Sequence, residues 1–124
     1  MQYLSSEWLE AARRALAAAE DLGDAVADVA LTVEQVVDAT TFHITLDHGK
    51  VTLAEGPAAA PDLRFTTDYA TAAAVAAGEL SAQRAFGEGR LRVGGDLRLL
   101  IAHQRSIAAL DDALAPVRAA TTYA

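Results

Sequence analysis

The spacing of apolar residues changes from a helical period to a strand period near residue 26. Before that point Ser5 is the expected N-cap of a helix and Gly23 is its expected end. The apolar residues of this helix recur at helical intervals and are Trp8, Ala12, Ala15, Leu16, Ala19 and Leu22. Beyond residue 26 apolar and polar residues alternate, as they do in strands with one buried face. The change of period predicts an α+β fold in which helices cover one face of a sheet.

The alternation continues through three segments separated by short breaks. Their apolar members are Leu31, Val33, Val37, Phe42, Ile44, Leu46, Val51 and Leu53. The breaks at residues 38–39 and 48–49 are short enough to join antiparallel strands, so the three segments predict a meander. The acidic residues that alternate with them, Glu34 among them, are expected to face solvent. A loop at residues 57–61 leads to a fourth strand at residues 63–67.

The second half of the chain contains three further helix starts, each marked by a capping residue. Asp68 is expected to cap an alanine-rich helix that ends at Gly78. Ser81 caps a short helix, and Asp96 caps the last one. Between these two caps, residues 90–93 alternate as a fifth strand.

The end of the chain is predicted to be one helix followed by a tail. The glycine pair at residues 94–95 is expected to turn the chain into this helix, which runs from Leu97 to about residue 115. Pro116 is expected to close the helix, because proline cannot continue it. Residues 117–124 are predicted to form a flexible tail unless they dock on the protein.

The length of 124 residues fits a single domain spanning residues 1–124. No apolar run approaches the roughly 20 residues that span a bilayer, so no transmembrane segment is expected. The lack of cysteine and of a secretory signal favours a cytoplasmic protein. The net charge of −7 argues against binding to nucleic acid, whose phosphates attract Lys and Arg.

The sequence contains none of the common catalytic or metal-binding motifs. His43 and His48 flank Asp47, but a metal site needs another convergent ligand and the chain has no cysteine. His103 falls on the last predicted helix, where a surface position is the default. The glycine pairs lack the spacing of a phosphate-binding loop, and no serine-hydrolase elbow occurs. We therefore predict no metal and no cofactor, and find no positive evidence for an enzyme.

Basic residues are concentrated in one region of an otherwise acidic chain. Half of the ten Lys and Arg residues lie there: Arg84, Arg90, Arg92, Arg98 and Arg105. Two interpretations are open at this point. The arginines form an ordinary solvated surface, or they contact the anionic head group of a ligand.

Three segments of the second half resemble the sterol carrier protein type 2 (SCP2) sterol-binding domain family. They read DLRFTTD at residues 62–68, AGELSAQRAF at residues 77–86 and GRLRVGGD at residues 89–96. The family pattern is a strand ending near an aspartate, a helix ending in glycine, an Ala-Phe pair, a glycine before a basic-apolar strand, and Gly-Asp opening a helix. The preceding helix and meander agree in order with the family's fold.

The resemblance implies an SCP2-like fold, with a mainly antiparallel sheet of about five strands. Helices would cover one face and enclose an apolar tunnel for sterols, fatty acyl chains or other lipids. The acidic charge and the lack of a peroxisomal Ser-Lys-Leu ending at residues 122–124 depart from the family and favour a bacterial-type cytoplasmic domain. The positions that match tunnel-lining positions, each of which could instead fill the core, are Phe42, Ile44, Phe65, Phe86, Leu97, Leu100 and Ile101.

The leading hypothesis is a non-catalytic carrier that holds a hydrophobic small molecule or lipid in a pocket between sheet and helices. The first alternative is a cofactor-free enzyme, an isomerase or a cyclase. It would need an inward-facing His103, Tyr69 or carboxylate with a perturbed pKa. The second alternative is a structural interaction module with a filled core, which a homodimer would favour.

Overall fold

Residues 1–123, which the computed structural model describes, fold into an α+β structure built on a five-stranded sheet. The strands are β1 (Ala30–Val37), β2 (Thr40–Asp47), β3 (Lys50–Glu55), β4 (Leu63–Thr67) and β5 (Leu91–Gly95). The helices are α1 (Ser6–Ala18), α2 (Glu20–Ala25), α3 (Tyr69–Ala76), α4 (Ala82–Gly87), α5 (Leu97–Ala102), α6 (Gln104–Ala113) and α7 (Ala115–Ala119).

The strands are arranged in the order β3-β2-β1-β4-β5. The pairs β1–β2, β2–β3 and β4–β5 are antiparallel, and β1–β4 is parallel. The predicted meander and the mainly antiparallel sheet are therefore confirmed. The register gathers the large apolar side chains of four strands on one buried face: Leu31, Val33, Val37, Phe42, Ile44, Leu46, Leu53 and Leu63.

Each predicted capping side chain accepts a hydrogen bond from a backbone N–H in the first turn of its helix. Such bonds satisfy donors that the helix itself leaves unpaired. The pairs are Ser5 with Trp8 at 3.1 Å, Asp68 with Thr71 at 2.7 Å, Ser81 with Arg84 at 3.1 Å and Asp96 with Arg98 at 3.0 Å.

The first helix covers the buried face of the sheet, but it is shorter than the sequence predicted. Its buried side includes Trp8 and Leu16, two of the apolar residues that recur at helical spacing. The helix ends at Ala18, and Ala19 takes an extended conformation before α2 begins. Gly23 lies inside α2 and does not end a helix.

Gly23 permits a close approach between α2 and the β2–β3 turn. A Cβ atom at Gly23 would lie 3.2 Å from the Gly49 carbonyl oxygen. In that turn His48 and Gly49 both have positive φ, at 47° and 93°, as a tight hairpin turn requires. The turn predicted at residues 48–49 is confirmed, whereas Gly23 serves packing.

The C-terminal region forms three short helices in place of the single helix predicted from Leu97 onward. The chain leaves helical geometry at His103, between α5 and α6, and α7 starts after Leu114. Pro116 lies in the first turn of α7, where a residue without an N–H loses no hydrogen bond, so it opens a helix. No helix within residues 1–123 combines the length and the apolar character needed to cross a bilayer.

Residues 117–123 are docked on the N-terminal segment, where the sequence predicted a flexible tail unless the segment docks. Thr122 and Gln2 form a parallel bridge. The Thr122 N–H donates to the Met1 carbonyl at 2.7 Å, and the Tyr3 N–H donates to the Thr122 carbonyl at 3.0 Å. The two terminal segments therefore hold each other in place.

The glycine pair at residues 94–95 belongs to β5 and is not the predicted turn. Gly94 pairs with Arg64, and Gly95 pairs with Leu63. Gly95 has a φ of 97°, and a Cβ atom there would lie 2.2 Å from the Asp62 carbonyl oxygen. Glycine is required at this position because the backbone of the neighbouring segment comes too close for any side chain.

The two glycines should respond very differently to alanine. We expect Gly95→Ala to lower the free energy of unfolding by about 3 kcal/mol, because it adds a backbone clash to an unfavourable φ. Gly94→Ala is the matched control, since its Cβ would meet Arg64 atoms at ordinary contact distances of 3.7 and 3.8 Å. Urea unfolding of the two variants measures the difference, and equal stability would contradict the close approach.

Candidate functional site

Several apolar side chains around the edge strand β5 remain exposed or only partly buried. On the helix-bearing face Phe65 of β4 lies opposite Val93 of β5, and both are only partly buried. The helix α4 packs against β5, and α5 packs against β4. Phe86 on α4 is 49% exposed, and Leu97 and Ile101 on α5 are 45% and 67% exposed. We call these five residues the β5 surface.

The seven predicted lining residues divide into three groups. Phe42 and Ile44 are buried in the core. Phe65 and Leu100 are partly buried and pack against that core. The other three are the exposed residues of the β5 surface, and they are the large apolar side chains that residues 1–123 leave exposed. Five of the seven positions therefore lie on β4, α4 and α5, at one end of the sheet.

A shallow groove runs along the alanine-rich helix α3. This groove has a volume of about 390 Å³, and the small alanine side chains leave the space open. Its lining consists of Tyr69, Ala70, Ala73, Ala74, Ala77, Glu79 and Tyr123. The groove is therefore apolar except for one carboxylate and two phenol groups.

An aromatic cluster centred on Tyr3 connects this groove to the core of the protein. The ring of Tyr3 lies 5.6 Å from that of Tyr69 and 5.2 Å from that of Tyr123, both of which line the groove. On its other side it meets Trp8 edge-on at 5.0 Å, and Trp8 in turn lies 6.2 Å from Phe42. Burial, and then the neighbouring Tyr123 and Tyr69, raise the pKa of Tyr3, so its hydroxyl stays neutral.

The five arginines considered as head-group contacts do not meet at one point. Three of them pair with nearby acids: Arg84 and Arg90 with Glu88 at 3.2 and 3.6 Å, and Arg98 with Asp96 at 2.8 Å. Arg92 pairs in register with Thr66, on the sheet face that points away from the helices. Arg105 lies on α6 and is exposed.

The carboxylate of Glu34 is buried, so the sequence-based prediction that Glu34 faces solvent is wrong. It lies on the sheet face away from the helices, where exposure was expected, yet it is only 2% exposed. The Ala58 N–H donates to its Oε1 at 2.8 Å, and the Arg64 guanidinium donates to its Oε2. Residues 56–62, which join β3 to β4, cross this face and cover the carboxylate.

The partners of Glu34 keep it ionised. Burial by itself would raise the pKa of Glu34, but the hydrogen bonds from Ala58 and Arg64 and the charges of Arg64 and His43 outweigh it and hold the pKa below its ordinary value of 4.5. A carboxylate with both oxygens already bonded is not poised to exchange protons near neutral pH. We interpret Glu34 as a structural group.

The remaining candidates for acid–base or metal chemistry lie apart from one another. The His43 Nδ1–H donates to the Gly56 carbonyl at 2.9 Å, and His48 bonds to Asp47 at 2.9 Å in an exposed turn. His103 sits between α5 and α6. The Tyr69 hydroxyl accepts a hydrogen bond from the Gln2 side chain at 2.6 Å. Over the described part of the chain, no group of three His, Asp or Glu residues is arranged to hold a metal ion.

Comparison with protein-family models gives a match to the SCP-2 sterol transfer family. The match covers residues 6–107, which include α1, the whole sheet and α5. A search of curated protein sequences found no significant match.

Solved structures share the fold at low sequence identity. A conserved hypothetical protein from Thermus thermophilus, whose description names sterol carrier protein, has a TM-score of 0.70 and 22% identity over 94% of this chain and 90% of its own. The crystal structure of sterol carrier protein 2 has a TM-score of 0.68 and 20% identity over 94% of this chain and 98% of its own. The inverting sec-alkylsulfatase Pisa1 from Pseudomonas sp. has a TM-score of 0.56 and 18% identity over 73% of this chain, which spans only 14% of that enzyme.

The Glu34 carboxylate should contribute stability that depends on pH. Because its pKa is lowered in the folded state, the contribution is present above the unfolded value of 4.5 and is lost as pH falls through the folded value. We expect Glu34→Gln to destabilise the protein by about 1.5 kcal/mol at neutral pH, since charge-assisted hydrogen bonds are weakened. The loss should be smaller at about pH 3 than at neutral pH, because the contribution of the carboxylate falls progressively below pH 4.5.

Urea unfolding at both pH values measures this effect. Glu55→Gln is the control, because Glu55 is exposed at the end of β3 and should unfold like the wild type at either pH. A penalty for Glu34→Gln that persists unchanged in acid would show that shape, and not charge, holds residues 56–62 on the sheet.

Proposed function

We propose, because this chain belongs to the SCP-2 sterol transfer family, that it is a carrier domain which binds a hydrophobic small molecule at the β5 surface. The ligand classes that fit are fatty acyl chains, sterols and other lipids. In this proposal the ligand lies between the sheet and the short helices α4 and α5. Phe65, Val93 and Leu100 are its contacts on the protein side.

The exposure of Phe86, Leu97 and Ile101 is the observation that carries the proposal. Transfer of apolar surface out of water releases about 25 cal/mol per Å². Three large apolar side chains that remain in contact with water on neighbouring helices therefore represent binding energy that an apolar ligand can recover. The remainder of the helix-bearing face offers less, because its large apolar residues are already buried.

The arrangement of charges favours a ligand that binds through its apolar part. Three of the five arginines pair with two neighbouring acids, Glu88 and Asp96, and Arg92 is on the other face of the sheet. We therefore assign the affinity to apolar contacts and not to an anionic head group. We also propose that residues 1–124 act as one domain and, since the sequence has no cysteine, that the protein works in the cytoplasm.

A second candidate function is a structural interaction module. The match to the sec-alkylsulfatase supports it, because there the fold occupies 14% of a much longer chain. In this case the β5 surface would be buried against protein, with a second copy of the chain as the simplest partner. Light scattering at increasing concentration distinguishes the two, since a dimer that Ile101→Ser dissociates would favour the module.

Replacing an exposed residue of the β5 surface should weaken lipid binding without unfolding the protein. We expect Ile101→Ser to lower the affinity for a fluorescent palmitic acid analogue about tenfold, because one large apolar contact is lost. Stability should be preserved, because Ile101 is 67% exposed. Equilibrium fluorescence titration measures the affinity, and circular dichroism measures the stability.

Val36→Thr is the control for this titration. Val36 is a partly buried apolar residue on the opposite face of the same sheet, and its replacement by threonine keeps its shape. This variant should bind the probe like the wild type. Absence of saturable binding by the wild type to this probe and to cholesterol would refute the carrier function, and equal affinities of all three proteins would refute the location of the site.

A further inference from the structure

The indole N–H of Trp8 is buried and has no hydrogen-bond acceptor. Trp8 is 7% exposed, and its Nε1 atom finds no partner within residues 1–123. Buried polar groups are almost always paired, and tryptophan in particular usually finds an acceptor for its single donor. An unpaired donor in this position destabilises the free protein. A bound molecule that supplies an oxygen acceptor would remove this cost.

The aromatic neighbours of Trp8 hold its ring in place but do not satisfy its N–H. Tyr3 meets the ring at an interplanar angle of 86°, and Phe42 meets it at 65°. Aromatic faces are at best weak acceptors compared with a carbonyl oxygen. The donor is therefore fixed in position by packing, as a binding group should be.

A second polar group, the side chain of Gln35, lies beside Phe42, the residue whose ring meets that of Trp8. Gln35 is on the central strand and shares the helix-bearing face with Val33 and Val37, which are buried. It pairs in register with Phe42 on one side and with Phe65 on the other. Among the described residues, its partly buried amide takes part in no side-chain hydrogen bond. An amide between two phenylalanines in an apolar face is a second donor and acceptor without a protein partner.

We propose that Trp8 and Gln35 together bind a neutral oxygen group of the hydrophobic ligand, such as an ester, ketone or quinone carbonyl. The inference rests on the proposed carrier function and adds the ligand's polar chemistry and its orientation. Phe65 connects the two parts of the site, since it adjoins Gln35 and belongs to the β5 surface. The polar group then points inward toward Trp8, and the apolar part extends toward α4 and α5.

The charges around this position favour a neutral group over a carboxylate. The residue next to Phe42 on β3 is Glu55, whose negative charge opposes an anion on the same face of the sheet. The nearby Tyr3 has a raised pKa and stays neutral. A carboxylate entering this apolar region would lose its hydration without gaining an opposite charge.

Three probes of matched length test the inference: methyl palmitate, palmitate and hexadecane. The wild type should bind methyl palmitate more tightly than either of the others. Trp8→Phe keeps an aromatic ring but removes the donor, and we expect it to lower the affinity for methyl palmitate about tenfold while leaving hexadecane binding unchanged. Gln35→Met, which keeps the length of the side chain, should have a smaller effect in the same direction.

The control and the fluorescence of Trp8 separate hydrogen bonding from packing. Thr45→Val removes a polar group on the opposite face of the sheet and should alter neither affinity. Trp8 is the single tryptophan of the chain, so its emission should shift to longer wavelength with methyl palmitate and not with hexadecane. This measurement needs no variant and remains decisive if Trp8→Phe fails to fold.

Several outcomes would overturn the inference. Equal affinity of the wild type for methyl palmitate and hexadecane would do so. Equal losses of affinity for both probes in the Trp8→Phe and Gln35→Met variants would also do so, because they would show that the two residues only pack against the ligand. Tighter binding of palmitate than of methyl palmitate would overturn the neutral polar group while leaving the carrier function intact. Failure of the wild type to bind any of the three probes would refute the carrier function itself, and the inference with it.

Discussion

The central strand β1 pairs on both sides, and this double pairing fixes the face on which each neighbouring side chain lies. Because side chains alternate along a strand, a slip of one residue would exchange the apolar row of Val33 and Leu63 for the charged row of Glu34 and Arg64. The first row is buried beneath the helices, and the second forms an ion pair beneath residues 56–62. Apolar burial on one face and charge pairing on the other therefore select the same register. This register also determines which side chains face the proposed site.

The helices cover the two ends of the sheet unequally. At one end α1, with 13 residues, packs against β3 and buries a continuous apolar stripe. At the other end α4 and α5 have 6 residues each, fewer than two turns, and leave part of the apolar face in contact with water. A longer helix here would cover this part of the apolar face. The short helices therefore leave open the surface at which we propose that the ligand binds.

Features governed by neighbouring residues could be predicted from the sequence, and features governed by distant ones could not. The caps and the turn at residues 48–49 depend on a few consecutive residues. Glu34 is buried because its partners Ala58 and Arg64, which follow 24 and 30 residues later, reach back to it. The resemblance to a family supplied the apolar positions that are proposed for the site. Whether the side chain at each of these positions is buried in the core or exposed depends on how the helices cover the sheet, as the contrast between the buried Phe42 and the exposed Ile101 illustrates.

The pairing of the two terminal segments has a consequence for how this fold can be combined with other proteins. The Met1 ammonium group donates to the Ala120 carbonyl at 2.8 Å, and Thr122 bridges to Gln2. An entry point and an exit point this close together let a domain be inserted into a host loop without pulling the host apart. For the same reason new ends could be opened at residues 48–49, with the old ones joined by a short linker, and the sheet order would be unchanged. This fold can therefore be inserted into another protein, or circularly permuted, as one intact unit.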